Sequence, residues 1–78
     1  MTLNQLQYFM SLASRLNFRA VAEKYFITQP TLSRQIASLE EELNVKLFER
    51  SKHGVELTAA GKVLQEGLPS VYQDLTSL

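Results

Sequence analysis

The segment from Thr28 to Leu43 constrains the fold most, because a sharply defined helix start is followed by one apolar stripe. Thr28 can cap a helix by accepting a hydrogen bond from a free backbone N–H, and Pro30 is tolerated in the first turn, where its missing donor costs nothing. The opposite face carries Pro30, Arg34 and Ser38, so it is predicted to be free to contact a partner. The apolar stripe consists of Leu32, Ile36, Leu39 and Leu43.

The polarity of this predicted helix favours DNA as the partner. Its first half carries Arg34 and several hydroxyl groups, and a helix N-terminus adds free N–H groups and a partial positive charge that suit a polyanion. Its second half carries Glu40, Glu41 and Glu42, which we interpret as a solvated helix face rather than a metal or acid-base site. Arg34 is expected to contact a phosphate or a base edge. The alternative is a surface ion pair with a nearby carboxylate.

Two shorter helices are predicted before this segment. Thr2 and Gln5 have the spacing of a capping box and open a first helix of about 14 residues. Asn17 is predicted to cap a second helix that ends near Phe26, and a tight turn then leads to the cap at Thr28. The second and third helices together form a helix-turn-helix. The expected core positions are Leu6, Phe9, Met10, Ala13 and Leu16 in the first helix and Phe18, Val21, Ala22 and Tyr25 in the second.

Two short apolar-rich stretches, at residues 46–50 and 55–58, predict a two-stranded wing. Gly54 can adopt a positive φ in the turn between them. Arg50 is either a DNA contact or an internal ion-pair partner of Glu49 or Glu56. His53 is the only histidine and the chain has no cysteine, so we expect an exposed turn residue and no metal site.

The last segment, residues 58–78, has the pattern of a long amphipathic helix, which we separate as a linker from the domain at residues 1–57. If helical throughout, it would span about 31 Å, too long for so small a domain to cover, so part of its apolar stripe needs another chain. Pro69 removes one hydrogen bond and clashes with the carbonyl of Gln65, and Gly67 weakens the same turn. A kink or break is therefore predicted between Glu66 and Pro69. The stripe consists of Ala60, Val63, Leu64, Leu68, Val71, Tyr72, Leu75 and Leu78.

Composition limits the class of protein. A chain of 78 residues is one small domain that buries only about 60% of its unfolded surface, so it is marginal alone and dimerisation would help it. The lack of cysteine excludes disulfides and thiolate metal sites and fits a reducing compartment. Neither a signal peptide nor an apolar run of membrane-spanning length is present, so we expect no membrane partner and a cytoplasmic location.

Net charge argues against a simple basic DNA-binding domain, because 8 Lys and Arg balance 8 Asp and Glu. The distribution is polarised, however. Residues 1–39 contain one anion, Glu23, and four cations, which gives a surplus of three positive charges. The cations are Arg15, Arg19, Lys24 and Arg34. A polarised neutral domain can bind DNA through its local field, but weakly, so useful affinity is expected to need two or more copies.

The spaced motifs resemble the N-terminal DNA-binding domain of LysR-type transcriptional regulators over nearly the whole chain. The residues that carry the resemblance are Leu6-Gln7-Tyr8-Phe9, Phe18, Ala22-Glu23, Thr28-Gln29-Pro30-Thr31-Leu32-Ser33-Arg34-Gln35-Ile36, Leu39-Glu40, Leu43, Leu47-Phe48-Glu49-Arg50, Leu57-Thr58 and Ala60-Gly61. The resemblance implies a mainly α winged helix-turn-helix, with a three-helix core and a two-stranded wing, followed by a linker helix.

The resemblance also implies which residues touch double-stranded DNA. The implied base contacts are Gln29, Pro30, Ser33 and Arg34. The implied phosphate or backbone contacts are Thr28, Thr31, Arg50, Lys52 and His53, the last three in a wing at the backbone or minor groove. Two positions depart from the family pattern, since Arg19 stands where a Ser or Thr is usual and Val21 where Ala is usual. Arg19 is expected either to add a phosphate contact or to lie in solvent.

By the same resemblance, the linker helix pairs with its equivalent in a second subunit, giving a homodimer or, in the full-length protein, a tetramer. Tyr8 and Leu12 widen the stripe of the first helix, either as core residues or as a face covered by another subunit. The candidate dimer interface is Tyr8, Leu12, Val63, Leu64, Leu68, Val71, Tyr72 and Leu75. Family members are much longer and bind a small-molecule effector in a C-terminal domain, so this chain is expected to be a piece that itself needs no cofactor.

Three classes of function compete. The favoured function is sequence-specific DNA binding. In a dimer, the two recognition helices would lie about one helical turn of DNA apart, or a multiple of it, on an inverted-repeat site. A winged helix retained for protein association is the alternative, favoured by the zero net charge and the apolar linker. An enzyme is not expected, because the sequence offers no glycine-rich phosphate loop, no nucleophile with a base at useful spacing and no paired carboxylates.

Overall fold

Residues 1–76 fold into three helices, a two-stranded wing and a fourth helix, in the order that the sequence predicts. A computed structural model describes the backbone of residues 1–76 and the side chains of residues 1–67. The elements are α1 (Leu3–Arg15), α2 (Phe18–Lys24), α3 (Gln29–Leu43), β1 (Phe48–Ser51), β2 (Gly54–Leu57) and α4 (Ala59–Thr76). This order confirms the winged helix-turn-helix.

The helix starts follow from their capping residues. The backbone N–H of Gln5 donates to Thr2 Oγ1 at 3.0 Å, and the N–H of Thr2 donates to Gln5 Oε1 at 3.2 Å, so the predicted capping box is confirmed. Asn17 Oδ1 accepts from the N–H of Ala20 at 3.0 Å and opens α2. Thr28 Oγ1 accepts from the N–H of Thr31 at 3.2 Å and opens α3. Each cap therefore satisfies one donor that the helix leaves unpaired.

Two helix ends differ from the prediction. α1 ends at Arg15, and Leu16 adopts a left-handed conformation with φ of 53°. The expectation that Leu16 lies in the core is wrong, because this turn carries its side chain off the helical stripe and leaves it 38% exposed. α2 ends at Lys24, and Phe26, placed at its end by the prediction, also has a left-handed φ, of 56°.

The core lies between the first three helices and the entry to the wing. Its fully buried large side chains are Phe9, Leu12, Val21, Leu32, Leu39 and Leu47. The ring of Phe48 packs against those of Phe9 and Phe18, with centroids 5.5 Å and 6.5 Å apart. Leu12 has no exposed surface, so of its two interpretations the core is correct, and its assignment to a subunit interface is wrong. The first helix simply buries a wider stripe than a narrow a/d pattern.

The wing is an antiparallel hairpin whose register pairs Phe48 with Leu57 and Ser51 with Gly54. Lys52 and His53 form the turn, and Gly54 has φ of 117°, a conformation that side chains disfavour. Phe48 faces the core, while the rest of β1 is exposed. The wing prediction is confirmed in both position and turn.

Glu40 connects the start of the wing to α3 through two hydrogen bonds. Its Oε2 accepts from the backbone N–H of Leu47 at 2.7 Å and from that of Phe48 at 3.3 Å. Its side chain is only 11% exposed, whereas Glu41 and Glu42 are exposed. The interpretation of all three glutamates as a solvated face is therefore wrong for Glu40, because it replaces water as the acceptor for two partly buried backbone donors.

α4 is attached to the domain through its first turns. Thr58 donates from its backbone N to the carbonyl of Leu47 at 3.0 Å, and Thr58 Oγ1 accepts from the N–H of Gly61 at 3.0 Å. Gly61 is buried against the carbonyl oxygen of Leu47, and Leu64 packs on the core, whereas Val63 is 71% exposed. These first turns are thus continuous with the packing of the wing.

The backbone of α4 is helical without interruption from Ala59 to Thr76. Of the predicted kink or break between Glu66 and Pro69, the break is therefore wrong, and the kink stays a prediction. Proline deletes a single hydrogen bond, and the turns on either side keep theirs, so one loss does not end the helix. The predicted interface side chains of Leu68, Val71, Tyr72 and Leu75 lie outside the described side chains. Among the described residues, no helix is both long and apolar enough to cross a membrane.

Candidate nucleic-acid interface

The six residues expected to contact DNA from the third helix all lie in its cap and first two turns. Thr28, Gln29, Pro30 and Arg34 are exposed, and Thr31 and Ser33 are half-buried. This helical segment is rigid, because its inner face contributes Leu32 and Ile36 to the core. The outer face therefore presents an amide, hydroxyls and a guanidinium in a fixed arrangement, which is the set of donors and acceptors that base edges and phosphates require.

Hydrogen bonds among these side chains preorganise the helix start. The hydroxyls of Thr28 and Thr31 are 2.8 Å apart, and Arg34 Nη2 lies 3.4 Å from Thr31 Oγ1. Among the described side chains, no carboxylate pairs with Arg34. This disfavours the surface ion pair as its role and leaves its charge available to an outside anion.

Arg50 joins the wing to the two helices of the helix-turn-helix. Its guanidinium carbon lies 3.7 Å from the centroid of the Phe18 ring, and its Nη2 donates to Ser33 Oγ at 2.8 Å. Neither Glu49 nor Glu56 pairs with it among the described side chains, because alternate residues of a strand point to opposite faces and Arg50 stands opposite Val55. The cation stacked on an aromatic face and the hydrogen bond fix the wing beside α3.

The other predicted backbone contacts lie on exposed surface around this centre. Lys52 and His53 occupy the wing turn, where the backbone N–H of His53 donates to Ser51 Oγ at 3.1 Å. Arg19 Nε lies 3.2 Å from Glu23 Oε1, in a pair with both side chains mostly exposed. Such an exposed ion pair contributes little to stability, so Arg19 can leave the carboxylate of Glu23 and bind a phosphate instead. In the part of the chain with described side chains, no cluster of three metal-ligating residues occurs.

A contact that the sequence did not predict orients α3. Gln5 is buried, and its Nε2 donates to Gln35 Oε1 at 3.0 Å, which connects the start of α1 to the middle of α3. The capping-box spacing already identified Gln5, but only as a local cap. Its link to Gln35 and that of Arg50 to Ser33 span 30 and 17 residues, so no local periodicity could have revealed them.

The fold and this surface define a winged helix-turn-helix protein in which the first half of α3 is exposed beside the wing. The chain belongs to the lysR family of bacterial regulatory helix-turn-helix proteins, whose family model matches residues 3–62. This confirms the resemblance that the spaced motifs indicate.

One curated relative and two solved structures support the same family assignment. The chain is 51% identical over 63 residues to the HTH-type transcriptional regulator TfdT of Cupriavidus pinatubonensis, covering 81% of this chain and 28% of that protein. The crystal structure of the CbnR_DBD-DNA complex superposes with a TM-score of 0.91 at 38% identity, over 99% of this chain and 88% of that one. The BenM_DBD/catB site 1 DNA complex gives 0.89 at 35% identity, over 99% and 86%. The chain thus spans about a quarter of the length of the curated regulator it matches.

Proposed function

We propose that this chain is the module that reads a specific double-stranded DNA sequence for a longer LysR-family transcriptional regulator. The observation that supports it most is the exposed first half of α3, held beside the wing by Arg50. It presents the amide of Gln29 and the guanidinium of Arg34, which pairs with no carboxylate among the described side chains. In this proposal α3 enters the major groove, and the wing lies at the backbone or minor groove. The likeness to the DNA complexes of CbnR and BenM is consistent with it.

Each side chain has a role suited to its chemistry. Gln29 can bridge a base edge through both amide atoms, and Arg34 can donate two hydrogen bonds to guanine or bind a phosphate. Pro30 and Ser33 complete the base contacts, through apolar contact and through a hydroxyl. Phosphate contacts, from Thr28, Thr31, Arg19, Arg50, Lys52 and His53, fix position and register without reading sequence.

Affinity in this proposal comes from two copies. A domain with zero net charge gains little from nonspecific attraction, so a homodimer that places two reading helices on an inverted repeat supplies the affinity that one copy lacks. The exposure of Val63 on the apolar stripe of α4 supports a partner at that helix. The proposed interface comprises Tyr8, Val63, Leu64, Leu68, Val71, Tyr72 and Leu75, and in the longer protein two dimers would form a tetramer.

The remaining properties follow for the longer regulator. Its additional C-terminal domain would bind a small-molecule effector, while the DNA-reading module itself would carry no cofactor and no catalytic activity. Its site of action would be the cytoplasm, where bacterial DNA is transcribed.

The test is selection of bound duplexes from a random DNA pool at moderate salt. The chain, its Gln29→Ala and Arg34→Ala variants and the control Ser14→Ala, exposed at the end of α1, are compared. We expect the chain and the control to recover the same inverted repeat, and both α3 variants to lose it. No enrichment at any salt, with the protein shown to be folded and dimeric, would reject DNA reading and favour an association module.

A further inference from the structure

Phe26 is an aromatic residue that packs against almost nothing among the described side chains. Its side chain is 96% exposed, the largest value for any large hydrophobic residue among the described side chains, with Val63 next at 71%. Scattered exposed hydrophobic residues are normal, but most keep part of their surface covered. Phe26 gives up nearly all the stabilisation that burial of its ring would provide.

The backbone at Phe26 adds a second unfavourable feature. Its φ of 56° is left-handed, a conformation in which a bulky side chain is an outlier and Gly or Asn is usual. The turn requires this conformation, because the N–H of Ile27 reaches back to the carbonyl of Ala22 at 3.0 Å and that of Phe26 to Glu23 at 3.2 Å. The turn does not require an aromatic ring. Folding alone would therefore be served better by Gly or Asn at this position.

The position of Phe26 in the chain indicates which partner its ring could meet. It precedes the helix cap Thr28 by two residues, so their Cα atoms are at most about 7.6 Å apart. Thr28 begins the surface proposed to meet DNA, and Ile27 between them turns inward onto the core. The exposed ring is therefore close to the N-terminus of α3, where it would extend the proposed DNA-contacting surface with an apolar group.

We propose that Phe26 is a DNA-contacting residue whose ring packs against the deoxyribose of the strand that borders the N-terminal end of α3. The inference rests on the proposed DNA-reading function. A deoxyribose presents an apolar face at every nucleotide, so this contact strengthens binding to any sequence and fixes how deeply α3 enters the groove. Because no charge is involved, the contact releases no counterions.

The experiment compares variants that suit the left-handed backbone, Phe26→Gly and Phe26→Asn, with Phe26→Tyr, which keeps the ring. Val45→Ser, two residues beyond the C-terminal end of α3 and 42% exposed in the parent chain, controls for loss of an exposed apolar group. Each protein is titrated with the duplex that the parent chain selects from a random pool and with a scrambled duplex of the same length, at several salt concentrations. Thermal unfolding and sedimentation are measured on the same samples.

We expect Phe26→Gly and Phe26→Asn to unfold at the same or a higher temperature, yet to bind both duplexes roughly 3- to 10-fold more weakly, as expected for one lost apolar contact. The salt slope and the sedimentation should not change, and Phe26→Tyr and Val45→Ser should bind like the parent chain. Affinities within 2-fold of the parent for both Gly and Asn variants would overturn the proposal. So would a loss of affinity accompanied by a shift toward monomer, since the ring would then serve contact between subunits.

Arg34→Ala, measured in parallel, separates this proposal from the function on which it rests. If Arg34→Ala loses the selected duplex while the Phe26 variants keep it, DNA reading stands and the role of Phe26 fails. If neither the parent chain nor any variant distinguishes the selected from the scrambled duplex, the proposed function itself fails, and the contact to DNA fails with it.

Discussion

Replacing Glu40 by alanine tests whether the wing is held by one carboxylate. The substitution removes the acceptor for the N–H groups of Leu47 and Phe48, at 2.7 and 3.3 Å. A buried donor left without a partner costs about 1–3 kcal/mol. The longer bond to Phe48 contributes less than the shorter one, so the expected loss in the free energy of unfolding is about 2–3 kcal/mol. Lys46, 80% exposed and 3.9 Å from Glu40, adds little to this value.

A loss of that size is large for a domain of 78 residues. Domains of this size shift their midpoint of thermal unfolding by roughly 4–8 °C per kcal/mol, so Glu40→Ala should unfold about 10–20 °C below the parent chain. Glu40→Gln keeps an acceptor oxygen but loses the charge, so it should cost only about 1 kcal/mol. The assay is thermal and urea unfolding followed by circular dichroism, with all variants at the same protein concentration.

Glu41→Ala is the matched control, because this neighbour is exposed and has the same helix propensity. It should change stability by less than about 0.5 kcal/mol, as is usual for surface positions. If Glu40→Ala and Glu41→Ala unfold within 0.5 kcal/mol of each other, roughly the precision of such a comparison, water satisfies the two donors and the reasoning is refuted.

Four further substitutions test other contacts. Gly61→Ala should destabilise by about 1–3 kcal/mol, because a Cβ there would meet the carbonyl oxygen of Leu47 and lie 2.7 Å from a methyl carbon of Leu57. Gly67→Ala, where a Cβ meets nothing within 4 Å, should instead stabilise the same helix by about 0.5–1 kcal/mol, and equal effects in urea unfolding would contradict this account. Arg50→Lys should weaken binding to the selected duplex roughly 3- to 10-fold at an unchanged salt slope, because the charge remains while the flat stacking is lost; unaltered affinity would mean that charge alone matters. Thr2→Val should lower stability by about 1 kcal/mol through loss of its cap, read from the unfolding midpoint, and a neutral result would show that α1 needs none.

The caps and the apolar stripes were predictable from the sequence because both depend on residues three or four positions apart. Thr2, Asn17 and Thr28 act as predicted within their own first turns. Gly54 was likewise identified, because a turn between two short strands needs a residue that tolerates positive φ. The family resemblance relied on the same local spacings, and the matched residues 3–62 confirm it.

Predictions failed or stayed open where a rule based on neighbouring residues did not account for packing between distant segments. Leu16 fits the core stripe by spacing, but the helix ends before it. Pro69 satisfies the rule for a helix break, yet one lost hydrogen bond does not outweigh the intact turns around it in α4. Leu12 could have been core or interface, and only the position of its neighbours in three dimensions showed that nothing of it remains exposed.

The sequence by itself determined the order of the elements, the face that each helix buries and the family, because periodicity and capping depend on residues close together in the sequence. Only the tertiary structure decided how the exposed face of α3 is positioned beside the wing. Glu40 reaches the backbone of the wing, Arg50 lies on Phe18 and bonds Ser33, and Phe26 is left in solvent. These outcomes depend on which segments meet after the chain folds, and contacts between residues far apart in sequence leave no local pattern from which they could be predicted.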